Sequence, residues 1–566
     1  MEKEKFYWLK HYPEGVPERL DIPDVSLYYF LETAANKYPN NLATIFMGNK
    51  LTFKQLKDKV DQFAAVLHSL GVKKGDRVAA MLPNCPQAVI CYFGILKIGA
   101  IVVMTNPLYT ERELSHQLRD SGAQTLIYLD LLSPKILKVK DDTSLKNIIV
   151  TGVQDFLPFP LNFLYPFKAR KQGHSTEVPA GHGILKFRDL MQKPLPAPPE
   201  VKINPGSDLA LLQYTGGTTG VSKGAMLTHK NLVANVLQVK SWLTDCQEAG
   251  ERMLGVLPFF HVFGMTVCMN FAIACCSTII LLPRFEIDTV LKQINQHKPT
   301  LFPGAPTMFV AVISHPEVKK YDISSIRACI SGAAPLPVEV QEKFETMTGG
   351  KLVEGYGLTE SAPVTHCNPI YGLRVFGSIG QPMPNTDVKI MDIENGDTEM
   401  PLGEVGELCV NGPQVMKGYW NMPEETARTI RDGWLYTGDI ARMDEKGFTY
   451  IVDRKKDMVI AGGYNIYPRE VEEVLYEHPK VQEAVVAGVP DAYRGETLKA
   501  YIVLKEGEQT SEKEIIDFCR DKLAKYKLPK KVEFRAELPK TMVGKILRRI
   551  LVEEEKAKLA AAKDDK

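Results

Sequence analysis

From residue 76 to 150, short apolar runs alternate with amphipathic ones, and this rhythm narrows the fold more than any other feature of the chain. Strands are expected over 77–82, 100–104 and 125–129, with helices over 86–98 and 110–121. Strands that alternate with helices argue for a parallel, doubly wound sheet. The rhythm returns over 251–335, with strands at 252–257, 277–282, 301–303 and 326–331 and a helix at 285–298. Upstream, an amphipathic helix at 27–38 precedes two short strands, 43–47 and 50–52, around a Gly48-Asn49 turn. Over 370–452 the strands shorten and Gly and Pro become frequent, which implies a small β-rich subdomain.

A strand at 448–452 runs into the charged pentapeptide DRKKD at 453–457. Beyond it come a Gly-Gly turn, a helix over 468–477, strands over 483–489 and 498–503 and a helix over 511–523. That is enough for a separate α+β unit. The fold class is therefore α/β: a large N-terminal region of doubly wound, αβαβα-type sheets with a β-rich subdomain, then a small mobile α+β C-terminal domain. The boundary is placed at the pentapeptide, giving 1–455 and 456–566. Several domains suit 566 residues, because single cores rarely grow past roughly 250–300 residues. The tail from 553 to 566 is charged and Ala-rich, a helix or a frayed end.

Residues 154–200 read as an insertion. Their stretch FLPFPLNFLYPF at 156–167 is rich in aromatics and proline, and Lys168, Arg170 and Lys171 follow it. Two readings stay open: a loop packed on the domain surface, or a lipid-facing patch, since aromatics beside basic residues favour an interface.

Apolar residues make up 45% of the chain and charged ones 24%, with a net charge of +1. Nothing there suggests a nucleic-acid partner. The ten cysteines include no C-x-x-C pair, so buried free thiols in a reducing cytoplasm are expected rather than disulfides or zinc. The opening residues carry acids and lack an apolar core, so no signal peptide is expected there. Residues 253–283 contain no Asp, Glu, Lys or Arg. A buried helix followed by a strand fits them better than a membrane span, because Thr266, Asn270, Ser277 and Thr278 interrupt the run. A cytoplasmic location is expected, with peripheral contact at the inner membrane face as the reading that goes with the lipid-facing patch.

The run YTGGTTGVSKG at 214–224 carries the chemistry. Its four glycines let backbone approach a ligand closely. Successive N–H groups in such a loop form an anion-binding concavity. Thr215, Thr218, Thr219 and Ser222 add neutral donors, and Lys223 adds a charge. This is not a Walker A motif, which needs Lys directly after Gly and before Ser or Thr. Alone, the run could also be a solvated turn between a strand at 209–213 and a helix starting near Thr228, the weaker of the two readings. Further segments join it. GYGLTE at 355–360 offers a turn, a hydroxyl and a carboxylate, which suits Mg²⁺ beside a polyphosphate. YTGD at 436–439 closes a strand with an acid able to accept from ribose hydroxyls. PKTMVGK at 539–545 presents a lysine near the C-terminus.

Together these segments resemble the acyl-adenylate-forming superfamily of acyl-CoA synthetases, luciferases and peptide-synthetase adenylation domains, from about Leu27 to Leu551. Within it, WLKHYPEG at 8–15, MLPNCP at 81–86, TNPLYT at 105–110 and GGYNIYP at 462–468 look most like bacterial long-chain fatty-acid–CoA ligases. The resemblance implies that Thr215, Gly216, Gly217, Thr218, Thr219, Gly220 and Lys223 hold the β- and γ-phosphates. Gly355, Tyr356 and Gly357 would flank the adenine, Thr359 would contact the α-phosphate, and Glu360 with Thr215 would hold magnesium. Asp439 and Arg454 would bind the ribose, and Lys545 would be the catalytic lysine of adenylation. Lys456 would be a hinge, and Gly463 with Tyr464 would line the CoA tunnel. His261, Met265, Gly332 and Ala333 would form the acyl pocket; Met265 stands where some members carry a tryptophan gate. ATP, CoA and a fatty acid are the implied substrates, Mg²⁺ the cofactor, and a monomer or homodimer the implied assembly.

The implied reaction has two halves: carboxylate and MgATP give acyl-AMP and pyrophosphate, then CoA gives acyl-CoA and AMP. The segment LPFFHVFGM at 257–265 holds no carboxylate to pair a substrate ammonium, which favours an alkyl acid over an amino acid. Three alternatives stay open: an adenylate-only ligase feeding a carrier protein, a luciferase-like oxidation, and a nucleotide-binding regulatory module without catalysis.

Overall fold

The computed structural model describes residues 6–171, 183–215, 222–461, 464–491, 495–520, 522–541, 544 and 546–564. An eight-stranded sheet lies at its centre. In spatial order its strands are Gly418–Tyr419, Lys223–Thr228, Leu209–Thr215, Ile101–Met104, Arg77–Met81, Thr125–Leu129, Asn147–Thr151 and Ile184–Lys186. The pairings from Leu209–Thr215 to Ile184–Lys186 are all parallel, as the alternation required. Strand Ile184–Lys186 falls inside the expected insertion and forms the sheet edge. The crossover helix Pro86–Lys97 has Pro at its first position and buries eleven consecutive residues, hence its uniformly apolar sequence. Helix Glu111–Ser121 starts on a Thr110–Glu113 capping box and helix His229–Trp242 on a Thr228–Asn231 pair; each cap satisfies otherwise orphaned N–H groups.

A second layer joins two four-stranded sheets. One runs Arg252–Gly255, Thr278–Leu281, Leu42–Phe46 and Asn49–Thr52; the other runs Ala328–Ser331, Lys351–Gly357, Val364–Cys367 and Gln381–Pro382. The strand expected at 301–303 is reduced to single bridges. Leu301 pairs with Met253 on one side and Ala328 on the other, stitching the two sheets together. The charge-free stretch is buried as expected, but its helical part opens with seven residues, Gly264–Asn270, as a π-helix. Thr266 donates to the Ala362 carbonyl at 2.8 Å and the Asn270 amide to the Tyr92 hydroxyl at 3.1 Å. The polar groups that argued against a membrane span thus find partners inside the protein, while Asn270 Oδ1 is buried without one among the described residues. Among the described residues no helix is long and apolar enough to cross a membrane.

The β-rich part is an antiparallel sheet of Asp387–Met391, Gly406–Asn411, Trp434–Met443, Ile430–Arg431 and Thr449–Arg454. A further sheet follows it in sequence, built around the long hairpin Val481–Asp491 and Gly495–Leu504 with Lys531–Phe534 alongside. Helices Pro468–Tyr476, Glu512–Arg520 and Arg548–Asp564 accompany it. Arg548 ties this unit back to the pentapeptide, reaching Asp457 at 2.7 Å and Glu472 at 2.6 Å.

The surface-loop reading of 156–167 is corrected. A 3-10 turn Val153–Phe156 leads into helix Leu161–Lys171, with Pro166 inside it. Phe163 and Phe167 share one face of this helix, and Phe159, in the turn before it, sets its ring against Phe163 at 6.3 Å between centres. The three are 80%, 68% and 67% exposed in the order Phe159, Phe163, Phe167.

Candidate active site

Strands Leu209–Thr215 and Lys223–Thr228 are antiparallel neighbours, so the glycine-rich run connects them and Thr215 faces Lys223 across the ladder. The neck of the loop is fastened by the Ser222 hydroxyl, which donates to the Thr215 carbonyl at 2.6 Å. Gly216, Gly217, Thr218, Thr219 and Gly220 lie outside the described residues. Lys223 forms an ion pair with Glu425 and stands 4.9 Å from the centre of the Tyr419 ring. The Tyr419 hydroxyl donates to Glu360 Oε1 at 2.7 Å. Burial, then the Glu360 charge, pushes that phenol far above its ordinary range, so it stays a donor. Lys223, Tyr419 and Glu360 therefore form one connected row.

Glu360 and Thr359 sit on a 3-10 turn, Thr359–Ser361, just beyond strand Lys351–Gly357. That strand must have glycines here. A Cβ on Gly357 would lie 2.0 Å from the Pro363 carbonyl oxygen, and one on Gly355 would lie 2.6 Å from Ile330; contacts that short are excluded in a packed interior.

Antiparallel strands Trp434–Met443 and Thr449–Arg454 set Asp439 directly opposite Arg454. The guanidinium Nε lies 3.1 Å from Asp439 Oδ1, and the Tyr356 hydroxyl donates to Oδ2. Asp439 is buried, and its charge holds the Arg454 guanidinium above its usual value. The glycine turn of 355–357 and the putting of acid against arginine thus meet at one point, through Tyr356.

On the other flank, a Cβ built on Gly332 would touch the Phe263 ring at 3.0 Å and approach the Gly355 carbonyl at 3.5 Å. Ala333 adopts φ +71°, a left-handed backbone uncommon for a side-chain-bearing residue. His261 Nδ1 accepts from the Phe263 N–H at 3.3 Å. Met265 is fully buried and donates its N–H to the His261 carbonyl at 2.9 Å. Beyond this wall lies an apolar cavity of about 50 Å³, lined among others by Val267, Phe271, Ile330, Val364 and Met383. His261, Met265, Gly332 and Ala333 adjoin its lining in sequence without lining it themselves.

Lys545 and Gly463 lie outside the described residues, and of Tyr464 only the backbone is described, opening strand Tyr464–Ile466. The described neighbour Gly544 has φ +76° and sits against the large region, where a Cβ would come 2.6 Å from Thr307 Oγ1. Lys456 is exposed in the turn just past strand Thr449–Arg454. At that seam the buried Asp453 carboxyl accepts N–H bonds from Arg454 at 2.7 Å and Arg469 at 2.9 Å, and burial pushes its pKa up to about 6.

Sequence reading overlooked Tyr419, Glu425 and Thr307. The run GYWNMPEET at 418–426 holds the first two, and its strand–turn–helix start is the local signal that could have found them. No group of three or more His, Cys, Asp or Glu suited to a metal occurs among the described residues. One carboxylate and one hydroxyl, Glu360 and Thr215, are a donor set that fits Mg²⁺, which keeps several waters and takes phosphate oxygens.

The sequence profile of the AMP-binding enzyme family matches residues 31–420, and that of the AMP-binding enzyme C-terminal domain matches 470–545. A long-chain-fatty-acid–CoA ligase of Bacillus subtilis (strain 168) is 54% identical over 97% of this chain and 98% of its own. One of Yersinia pestis is 44% identical over 97% and 98%. Among solved structures, the anthranilate CoA ligase AuaEII in complex with anthranoyl-AMP superposes with a TM-score of 0.83 at 31% identity, over 96% of this chain and 99% of that one. ATP-bound MatB from Rhodopseudomonas palustris gives 0.81 at 30%, over 94% and 99%. With both domain profiles matched in order and relatives aligned end to end, the chain belongs to the AMP-binding enzyme family.

Proposed function

We infer that this chain is a long-chain fatty-acid–CoA ligase, which converts a fatty acid and ATP to acyl-AMP and pyrophosphate and then forms acyl-CoA and AMP with CoA. The observation that carries this reading is one wall with two faces. The Lys223–Tyr419–Glu360 row and the Asp439–Arg454 pair present charge on one face, while Val267 and Ile330 line an uncharged apolar cavity on the other. A polyphosphate suits the first and an alkyl chain the second, each buried CH₂ being worth about 0.8 kcal/mol. The two named bacterial relatives agree with it.

In the first half-reaction the fatty carboxylate attacks the α-phosphorus and pyrophosphate leaves. Two anions must meet, so the protein's part is positioning and charge neutralisation. Lys223 leaves Glu425 to take a phosphate oxygen, Thr359 orients the α-phosphate, and Lys545 neutralises the charge developing there. Bound between Glu360 and Thr215, Mg²⁺ would supply further neutralisation on the phosphates. Asp439 and Arg454 hold the ribose. In the second half-reaction the CoA thiol attacks the acyl carbon and AMP leaves, with the thiol arriving past Gly463 and Tyr464. We place the domain boundary at the pentapeptide and have the small domain turn about Lys456, presenting Lys545 and then Gly463. The contact of Gly544 with Thr307 supports the adenylating arrangement.

The test separates the halves. Wild-type protein given a long-chain acyl-AMP and CoA should yield acyl-CoA. Lys545→Ala should keep that step while losing acyl-AMP formation on the order of 10²–10³-fold. Equal loss of both steps would contradict the alternation.

The protein is placed in the cytoplasm with peripheral contact to an anionic bilayer through helix Leu161–Lys171. Support comes from the exposed Phe159, Phe163 and Phe167 stripe and the basic end at Lys168, Arg170 and Lys171, the pairing that interfacial helices use. Co-sedimentation with phosphatidylglycerol vesicles should fall when Phe159 and Phe163 become Ser; unchanged binding would sink the contact.

A further inference from the structure

Nine of the ten cysteines are buried and only Cys246 is partly exposed. Its sulfur lies 3.4 Å from that of Cys275. The main chain holds the two together, since the Ala249 N–H donates to the Cys275 carbonyl at 2.9 Å. We propose that Cys246 and Cys275 are a peroxide-sensitive dithiol, with Cys246 as the attacking sulfur and Cys275 as the resolving one.

Three features of the surroundings fit these roles. The hydrogen bond between the two thiols lowers the Cys246 pKa, and the Lys240 and Arg327 charges act the same way against burial and Glu251. Thiolate character and access decide which cysteine reacts, and Cys246 has both. The adjacent Cys276 is a poor rival. Its sulfur is turned to Glu248 at 3.7 Å, and burial, then the Glu248 charge, pushes its thiol up to about 11.

The chemistry closes with a hydroperoxide as oxidant. The Cys246 thiolate attacks one peroxide oxygen, the O–O bond breaks, and the departing hydroxide takes a proton to become water. The Cys275 sulfur then attacks the Cys246 sulfenic sulfur. An S–S bond forms, the S–O bond breaks, and the hydroxide leaves as water with the Cys275 proton. One peroxide is reduced to two waters while two thiols become one disulfide. The sulfurs must close from contact to bonding distance, about 2 Å, which side-chain rotation supplies.

The pair is also bonded to two residues that line the apolar cavity. The Cys246 N–H donates to the Leu243 carbonyl and the Cys275 N–H to the Phe271 carbonyl, each at 2.9 Å, and Leu243 and Phe271 both line the cavity. A disulfide would brace two of its walls. If the ligase reading holds, oxidation changes the KM for a long acid by roughly threefold or more and leaves the KM for ATP alone, reversibly with dithiothreitol. The thiol chemistry itself does not depend on that reading.

The experiment uses the full chain with a small excess of hydrogen peroxide, then alkylation after denaturation, non-reducing digestion and mass spectrometry. Loss of two alkylatable thiols and a linkage from Cys246 to Cys275 is expected. Cys246→Ser and Cys275→Ala should each remove the linkage and Cys276→Ser should keep it. Native alkylation should modify Cys246 roughly tenfold faster than any other cysteine. A linkage to Cys276, over-oxidation of Cys246 without a linkage, or Cys246 remaining a thiol would each overturn the proposal, whether or not the protein proves to be a ligase.

Discussion

The two faces of the site wall are built on different principles. The nucleotide face is a set of charge-assisted bonds between elements far apart in the chain: Asp439 with Arg454 and Tyr356, Glu360 with Tyr419, Lys223 with Glu425. Bonds of that kind fix positions, because each partner left behind would be a buried polar group without a mate. The acyl face has no such bonds. It is closed by Val267, Phe271, Ile330 and Met383 around about 50 Å³, far below the roughly 300–1,000 Å³ of a typical ligand site. A long chain can enter only if those side chains move. On the proposed function this is a division of labour: recognition of the nucleotide would be set before binding, and room for the acyl chain would be made during it. The π-helix Gly264–Asn270 supplies Val267 to this wall, and such turns, rare in general, are frequent at functional sites.

The comparison can be broken in four places. Asp439→Ala should do the most damage, leaving the Arg454 charge and the Tyr356 hydroxyl without their acceptor. A loss of roughly 3 kcal/mol is expected, read as a KM for ATP raised on the order of 10²-fold, with the KM for the fatty acid nearly constant. If both constants rise together, the two faces are not independent. Tyr419→Phe comes next. It removes one bond to a carboxylate, worth roughly 1.5 kcal/mol, and should raise the Mg²⁺ concentration needed for half-maximal adenylation about tenfold.

Val267→Phe sharpens the other side. Overfilling the cavity should cost about 1–3 kcal/mol of stability and move preference toward shorter acids, while ATP binding measured by calorimetry stays put. Glu354→Gln should touch turnover least and is read through pH. Burial raises the Glu354 carboxyl from 4.5 to about 7, with Arg469 opposing. The native state therefore holds a proton that the unfolded chain has lost between those values. The burial penalty is absent below about 4.5, grows through the window and is complete above about 7, so stability falls as pH rises. The glutamine variant should flatten the melting temperature between pH 5 and 8; an unchanged slope would show that Glu354 titrates normally.

What could be read in the sequence followed from how local the cause was. Strands 125–129 and 77–82 and helix 86–98 carry their own signal in a few residues, and the structure has them within a residue. The acid at 439 was legible from its YTGD run, although the structure sets it inside strand Trp434–Met443 rather than at a strand end. Its meeting with Arg454 is a matter of register between two strands, which no single segment states. Tyr419 and Glu360 lie 59 residues apart in sequence, and nothing in either segment announces the other. The helix Leu161–Lys171 was masked by Pro158, Pro160 and Pro166, which read as loop punctuation, although the spacing of four between Phe163 and Phe167 is helical. The strand at 301–303 is reduced to bridges at Leu301, with Met253 and Ala328, and just beyond it at Gly304, with Ser331.

The central claim is that one chain couples a preset nucleotide site to a yielding acyl site in a CoA-dependent ligation. It is tested most directly by AMP and pyrophosphate release with MgATP and a ladder of saturated acids from acetate upward, with and without CoA. The account predicts AMP release that requires CoA and climbs with chain length, while the KM for ATP stays constant along the ladder. Pyrophosphate release with acyl-AMP accumulating regardless of CoA, or a preference for acetate, would contradict it.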